Sequence, residues 1–235
     1  MKLAKIHIQC LSPGMLQNPA TPELLESLRT KTPVQKKTDI SLYDDAKTKL
    51  YRAEDTGKMG VPAQNLLSAI VLAGQHVKVG KKAISTAKAS TVFDFIEFVD
   101  DFLPFDSLNE TGDVPWTPFP VKGTMHNGAS EVAVCINRPR IPHWSMSFII
   151  RFDETRGVGE DTLRMLIEVA GRKIGLCDWR PAKKGRFGRF IVKKIETLSL
   201  KVKEDVVEIV DFDDKPASEI PVDLLAIAEA GGKLG

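Results

Sequence analysis

Ile174-Gly175-Leu176-Cys177-Asp178-Trp179-Arg180-Pro181-Ala182-Lys183-Lys184-Gly185-Arg186-Phe187-Gly188-Arg189-Phe190 gathers glycines, cations and aromatics into one short run. On its N-terminal side, Glu160 to Ile174 carries Leu163, Leu166, Ile167 and Ala170 at helical spacing, and on its C-terminal side Phe187 to Ile195 reads as a strand. The stretch is therefore a loop joining a helix to a strand. Its composition suits a polyanion. Glycine lets main chain approach a ligand closely, Arg and Lys neutralise phosphate, and Trp or Phe offers a stacking face.

Working outward, Leu3 to Leu11 alternates apolar and polar residues before Ser12-Pro13-Gly14, the pattern of a strand leaving into a turn. Val61 to Gly74 starts with a proline, carries apolar residues at helical spacing and stops at a glycine. Trp144 to Phe152 alternates as a strand, Glu131 to Ile136 reads as another, and Arg138-Pro139-Arg140-Ile141-Pro142 reads as a corner between them. Leu198 to Val210 predicts one or two further strands. Between these segments lie a polar excursion with a short helix pattern at Pro22 to Arg29, and a stretch from Gln75 onward with no regular period. The order strand, helix, strand, repeated once, is that of a ferredoxin-like or RRM-like α+β core, an antiparallel sheet with helices on one side. The expected organisation is a single domain over 1–235, with long insertions at about 14–58 and 76–130 and an acidic C-terminal extension at about 204–235.

With 235 residues, 43% of them hydrophobic, the chain can bury a core without disulfides or metal. Net charge is only +2, so the molecule as a whole is no polycation. The distribution is uneven. Arg172 to Lys194 holds nine Lys/Arg and one acid, whereas Glu204 to Glu219 holds seven acids and one Lys. Cys10, Cys135 and Cys177 are too far apart for a Cys-x-x-Cys motif, and His7, His76, His126 and His143 show no ligand spacing, so zinc is not expected. An odd cysteine count and the lack of a long apolar run lead to the expectation of a soluble, cytoplasmic protein with no membrane partner.

Three separated places, in order, resemble the RAMP superfamily of CRISPR effector proteins, particularly the crRNA-binding backbone subunits of its Cas-seven group. Ile6 to Pro13 resembles the opening strand that ends in Ser-Pro. Leu50-Tyr51-Arg52 with Gly57 to Ala69 resembles the family's Pro-Gly-Ser-Ser-Leu-Lys-Gly helix entry. Pro142 to Phe152, the following helix and Ile174 to Arg189 resemble its closing strand, helix and glycine-rich loop. Ala63-Gln64 stands where the family has Gly-Ser, Leu67 where it often has Lys, and Cys177 where it has the second glycine of Gly-Leu-Gly.

The resemblance implies single-stranded RNA binding through the phosphate backbone, as a repeated subunit of a filament-like ribonucleoprotein in antiviral defence. Its partners would be a guide RNA, copies of itself, other effector subunits and a target nucleic acid paired by the guide bases. From the residues themselves, Arg180, Lys183, Lys184, Arg186 and Arg189 are the candidate phosphate contacts, with Gly185 and Gly188 permitting close main-chain approach. The bland alternative is a solvated basic hairpin with Trp179 and Phe187 packed inward. Gln64 and Asn65 join the set because a helix entry exposes N–H groups to anions and because the resemblance places this helix beside the RNA; an ordinary helix start reads the same way.

Catalytic residues and cofactors are not expected. Asp44 and Asp45 are the candidates if the chain belongs to a cleaving, Mg²⁺-dependent branch of the same family, since convergent carboxylates can hold Mg²⁺ at phosphate. Paired acids in a polar loop are equally ordinary solvated charges. A further alternative is a phage- or plasmid-borne protein that binds single-stranded nucleic acid or interferes with an effector complex. Pro115-Trp116-Thr117-Pro118-Phe119-Pro120 reads either as a docking segment for a neighbouring subunit or as packing over its own core.

Overall fold

The computed structural model describes residues 2–31, 40–106, 112–127, 130–154, 158–203 and 206–210; of 125–127, 130, 199–203 and 206–210 it describes the backbone alone. In chain order the elements are β1 (Lys2–Cys10), β2 (Met15–Leu16), α1 (Pro22–Thr30), α2 (Leu42–Lys47), β3 (Gly60–Pro62) and α3 (Ala63–Ala73). There follow β4 (Lys78–Val79), β5 (Lys82–Ala83), β6 (Ile96–Phe98), β7 (Phe102–Pro104), β8 (Thr117–Asn127) and β9 (Ser130–Ile141). The chain closes with β10 (Ser145–Phe152), α4 (Glu160–Val169), β11 (Phe190–Lys203) and β12 (Val206–Val210).

The main sheet has the order β12-β11-β1-β10-β6. Every neighbouring pair in it is antiparallel. Taken with α3 between β1 and β6, and α4 between β10 and β11, this is the interleaved pair of β-α-β units of a ferredoxin-like α+β fold, extended at one edge by β12. One face of the sheet supplies the core. Ala4, Ile6 and Ile8 of β1, Met146, Phe148, Ile150 and Phe152 of β10, and Phe190 and Val192 of β11 are buried against Leu66 and Ile70 of α3 and Leu163, Leu166 and Ile167 of α4. The alternate residues Lys5, His7 and Gln9 are wholly or partly exposed, as the period of two in a one-sided sheet requires.

Two strands differ from the sequence reading. The second core strand is β6, three residues inside the stretch from Gln75 onward that shows no regular period, held by Ile150↔Phe98 and Phe152↔Ile96. Glu131 to Ile136 belongs instead to β9, which runs on through Arg138 to Ile141, so the expected corner at Arg138 to Pro142 is strand up to its last residue. β9 pairs with β8 from Thr117↔Arg140 to Asn127↔Ser130, and Met15↔Ile141 ties its base to β2. Pro118 and Pro120 lie within β8, whose outer edge has no strand partner among the described residues. A proline is tolerated there because it removes a donor that no neighbouring strand would use.

Buried amides hold the excursions to the body. Gln17 is fully buried; its Nε2 donates to the Gly60 carbonyl at 2.7 Å and its Oε1 accepts the Tyr51 N–H at 2.8 Å. One side chain thus joins β2, the entry to β3 and the segment between them. α3 begins after Pro62, and its Gly74 cap has φ −58°, so it is not left-handed. Glycine is needed for space instead, since a Cβ on Gly74 would lie 2.4 Å from Ser85 Oγ.

Candidate nucleic-acid interface

α4 gives way to a single π turn over Ala170–Ile174, closed by the Gly175 N–H donating to the Ala170 carbonyl at 2.8 Å. Gly171 sits against β11 there, where a Cβ would come within 2.2 Å of the Phe190 carbonyl oxygen. From Gly175 the backbone repeatedly enters the left-handed region, with φ +74° at Gly175, +59° at Cys177, +47° at Trp179, +61° at Lys184 and +70° at Gly188. This coil is fastened by its own main chain. Leu176 N–H donates to Gly188 O at 2.8 Å, Gly185 N–H to Arg180 O at 3.0 Å and Phe187 N–H to Trp179 O at 3.1 Å. Outside the loop, Asp178 N–H reaches Leu16 O at 2.9 Å, Gly188 N–H reaches Gly14 O at 2.8 Å, and Arg189 O accepts from Leu11 N–H at 2.8 Å.

The two central glycines serve this coil. A Cβ on Gly185 would lie 1.7 Å from the Trp179 carbonyl oxygen, and one on Gly188 would lie 1.9 Å from that of Leu176. Their freedom allows close approach of main chain to main chain. Lys183, Lys184 and Arg186, by contrast, are exposed, and none has a carboxylate partner among the described residues. Arg186 lies over the Phe187 ring at 5.8 Å, while the half-buried Arg180 donates to the Cys177 carbonyl at 2.8 Å. Arg189 is partly buried, and its Nε has no acceptor among the described residues.

The N-terminus of α3 faces this loop. Asn65 lies close enough to the Tyr51 hydroxyl and to the Cys177 thiol to act on both, as do Asp178 and Arg180. Burial pushes the Cys177 thiol up to about 12 against the opposing pull of Arg180. Burial likewise holds the Tyr51 phenol above its ordinary value, with Cys177 adding to the rise and Asn65 countering it. Both groups are therefore neutral at physiological pH. Asn65 and Arg180 thus converge, whereas Gln64 is exposed and turns to Ser68 Oγ at 3.2 Å. The first turn of α3 carries no acid and no side-chain cap.

The base of the β8–β9 hairpin forms the third wall. Arg138 Nε donates to Asp178 at 3.0 Å, so the single acid of the loop is already paired. Arg140 reaches the Pro13 carbonyl at 3.2 Å and lies 5.9 Å over the Phe119 ring, which packs edge-on against Phe187 with centroids 5.5 Å apart. Trp179 stands 6.5 Å from Phe187. The sequence reading missed Arg138, Arg140 and Phe119 as neighbours of the loop. Their signal was spacing, since residues two apart on a strand share a face, and it was hidden by reading Arg138 to Pro142 as a corner.

Asp44 and Asp45 lie on α2, and each has a local partner. Asp44 N–H is capped by Ser41 Oγ at 3.0 Å, and Ser41 Oγ donates back to Asp44 at 2.6 Å. Asp45 accepts from Lys49 Nζ at 2.7 Å and from Asn137 Nδ2 at 2.9 Å, while Asn137 also donates to the Leu42 carbonyl at 2.7 Å. These contacts clamp α2 to β9. Among the described residues no group of three or more His, Cys, Asp or Glu converges to hold a metal ion. Trp116 stacks on the half-exposed Tyr43 with centroids 4.7 Å apart, which places the proline-rich segment beside α2. The side chain of His126 and residues 204–205 and 211–235, most of the acidic extension, lie outside the described residues.

No family model and no curated protein matches the chain. Among solved structures it is similar to a chain of "Cryo-EM structure of the Type III-B Cmr-beta bound to cognate target RNA", at 11% identity and a TM-score of 0.42. The likeness covers 83% of this chain and 60% of that one, so the protein spans under two thirds of the length of its neighbour. Among the described residues, no helix is long and apolar enough to cross a membrane.

Proposed function

We propose that the protein binds single-stranded RNA through its phosphate backbone, along a surface formed by the glycine loop, the N-terminus of α3 and the base of the β8–β9 hairpin. The observation that carries this reading is the set of exposed cations Lys183, Lys184 and Arg186, without a carboxylate partner among the described residues, on a backbone fixed by hydrogen bonds at both ends of the loop. A fixed cationic coil loses little entropy on binding, and cations with no internal carboxylate are free to displace counterions from phosphate. The acid-free first turn of α3, which has no side-chain cap, adds the positive end of a helix dipole. Arg180 and Arg189 supply further positive charge from within the loop.

The sequence resemblance extends this reading to a guide-binding subunit, repeated along a CRISPR-type ribonucleoprotein with the guide bases left free to pair. Asp44 and Asp45 enter it as fasteners of α2. The test is fluorescence anisotropy of the purified full chain with a labelled mixed-sequence RNA, repeated across a salt series. Binding that weakens steeply with salt and ignores base sequence supports the reading; no binding at low salt overturns it. Equal affinity for the matching single-stranded DNA would assign the surface to single strands in general. Copurified RNA in regular length steps would support the repeated-subunit form, and RNA of random length would count against it.

A further inference from the structure

Between Asp55 and Asp94 the sequence holds five Lys and no acid, and four of those cations, Lys78, Lys81, Lys82 and Lys88, follow closely on α3. β4 and β5 form a small hairpin there, with Lys78↔Ala83 and Val79↔Lys82 in register and Gly80-Lys81 at its turn. Val77 and Ile84 are buried in the core, and Val79 packs against it. Lys78, which alternates with the two valines along the strand, is exposed, as are Lys81, Lys82 and Lys88.

The backbone beneath these cations is fastened. Ile84 N–H donates to Val77 O, Ser85 N–H to Gly74 O and Thr91 N–H to Ile84 O, each at 3.0 Å. The Ser85 and Ser90 hydroxyls bond each other at 2.7 Å, and Thr86 Oγ1 accepts from the N–H groups of Lys88 and Ala89 at 3.3 and 3.1 Å. Two residues past Thr91 stands Phe93, 62% exposed. None of the four Lys has a carboxylate partner among the described residues. Fixed main chain, cations without carboxylates and an aromatic face thus recur outside the glycine loop. They recur at the other end of α3, since Asn65 in its first turn acts on Cys177 of the loop, whereas the hairpin follows its last turn. Eleven residues of helix separate the two ends by about 16 Å.

An ammonium is a point charge that fits phosphate without reading a base edge, and an exposed ring stacks on any base. An acidic protein surface would use the first and leave the second idle. We propose that Lys78, Lys81, Lys82 and Lys88, with Phe93, form a second contact for the RNA, so that one strand runs from the glycine loop along α3 to the β4–β5 hairpin. At about 3.4 Å per phosphate of a stacked strand, the two contacts lie roughly five nucleotides apart. The proposal rests on the RNA-binding reading above for its ligand and on its own observations for its place.

The experiment repeats the anisotropy salt series on the full chain with a 20-nucleotide mixed-sequence RNA. The variant K78A/K81A/K82A/K88A is expected to bind about tenfold or more weakly at low salt, with a salt slope lower by about 3, as four lost phosphate contacts require. Phe93→Ala is expected to weaken binding about fivefold and leave the slope unchanged, because stacking releases no counterions. Stoichiometric titration is expected to give no more than one strand per chain, and two would overturn the single path. Unchanged affinity and slope in the quadruple variant would overturn the second contact. So would a lowered urea midpoint with unchanged binding, which would assign the lysines to the C-terminal dipole of α3, or an altered sedimentation coefficient with unchanged binding, which would assign them to an acidic protein surface. The variant K183A/K184A/R186A separates this contact from the first. If it binds like the parent while the hairpin variant loses slope, the hairpin stands and the loop reading fails; the reverse keeps the loop and removes the hairpin.

Discussion

The glycine loop and the α2 segment are both short, polar and densely charged, and either could be taken for a site of phosphate chemistry. Their charges are disposed in opposite ways. On α2, Asp45 is engaged by Lys49 and Asn137, and Asp44 by Ser41, so its carboxylates fasten a helix to a strand. In the loop the backbone does the fastening, and Lys183, Lys184 and Arg186 are left with no carboxylate partner among the described residues. A charge consumed by an internal partner contributes to the fold, and one that the fold leaves unpaired on a fixed backbone is available to a ligand. Substitutions should therefore separate cleanly, those in α2 and in the loop's glycines acting on stability and those at the loop's cations acting on binding.

The largest expected effect is at Gly188. A Cβ there would meet the Leu176 carbonyl at 1.9 Å on a backbone with φ +70°. Gly188→Ala should cost on the order of 3 kcal/mol or more, because both the clash and the left-handed strain must be relieved by opening the coil. Gly57 and Gly80 are the controls, with φ +67° and +60° and nothing within 4 Å of a Cβ. Alanine at either should cost only about 1–2 kcal/mol, from backbone strain alone. Urea unfolding midpoints compare the three, and equal losses would mean that the coil is not packed on itself.

Next in size is Asn137→Ala, which deprives Leu42 O and Asp45 of a buried donor. A loss of about 1–3 kcal/mol is expected, with RNA affinity unchanged once the protein is folded. A large drop in affinity at preserved stability would move the interface toward α2. The triple variant Lys183→Ala, Lys184→Ala, Arg186→Ala should show the reverse, unfolding within about 0.5 kcal/mol of the parent. Its RNA binding should weaken about tenfold or more, and the salt slope should fall by about 2, as expected for three lost phosphate contacts on a single strand. An unchanged slope would show that these cations do not touch phosphate.

How much of this could be read from the sequence depended on how local the signal was. β1, α3, β10, α4 and β11 each carry a period long enough to recognise, and together they fix the α+β order. β6 could not be seen, because three residues hold too little pattern and its identity comes from pairing with Phe152 and Ile150 far along the chain. β8 was masked by Pro118 and Pro120, which argue against a strand unless one knows that its edge is open. At the site, the cations of the loop were legible as composition. The use of Gly185 and Gly188 was not, since whether a glycine faces a ligand or another carbonyl depends on a coil of left-handed residues, three of which, Cys177, Trp179 and Lys184, are not glycine. The second partner of Asp45 was equally hidden, Asn137 lying 92 residues away.

The smallest effect concerns the neutral cluster that joins the loop to α3. The Cys177 thiol is raised from 9.0 to about 12, and the Tyr51 phenol is raised from 10.0, both chiefly by burial. A folded-state value above the unfolded one means that the native state keeps its proton longer. The associated stability is complete below the unfolded value and is lost as pH climbs through the folded one. For Cys177 that window runs from pH 9.0 to about 12. Urea midpoints should thus hold steady through neutral pH and decline above 9, and Cys177→Ala should make that decline shallower. At pH 8 iodoacetamide should modify the exposed Cys135 well before Cys177, because alkylation needs the thiolate and burial withholds it. Rapid labelling of Cys177 in the folded protein would show that the contact between the loop and Asn65 opens readily, and would remove α3 from the fixed surface that distinguishes this loop from α2.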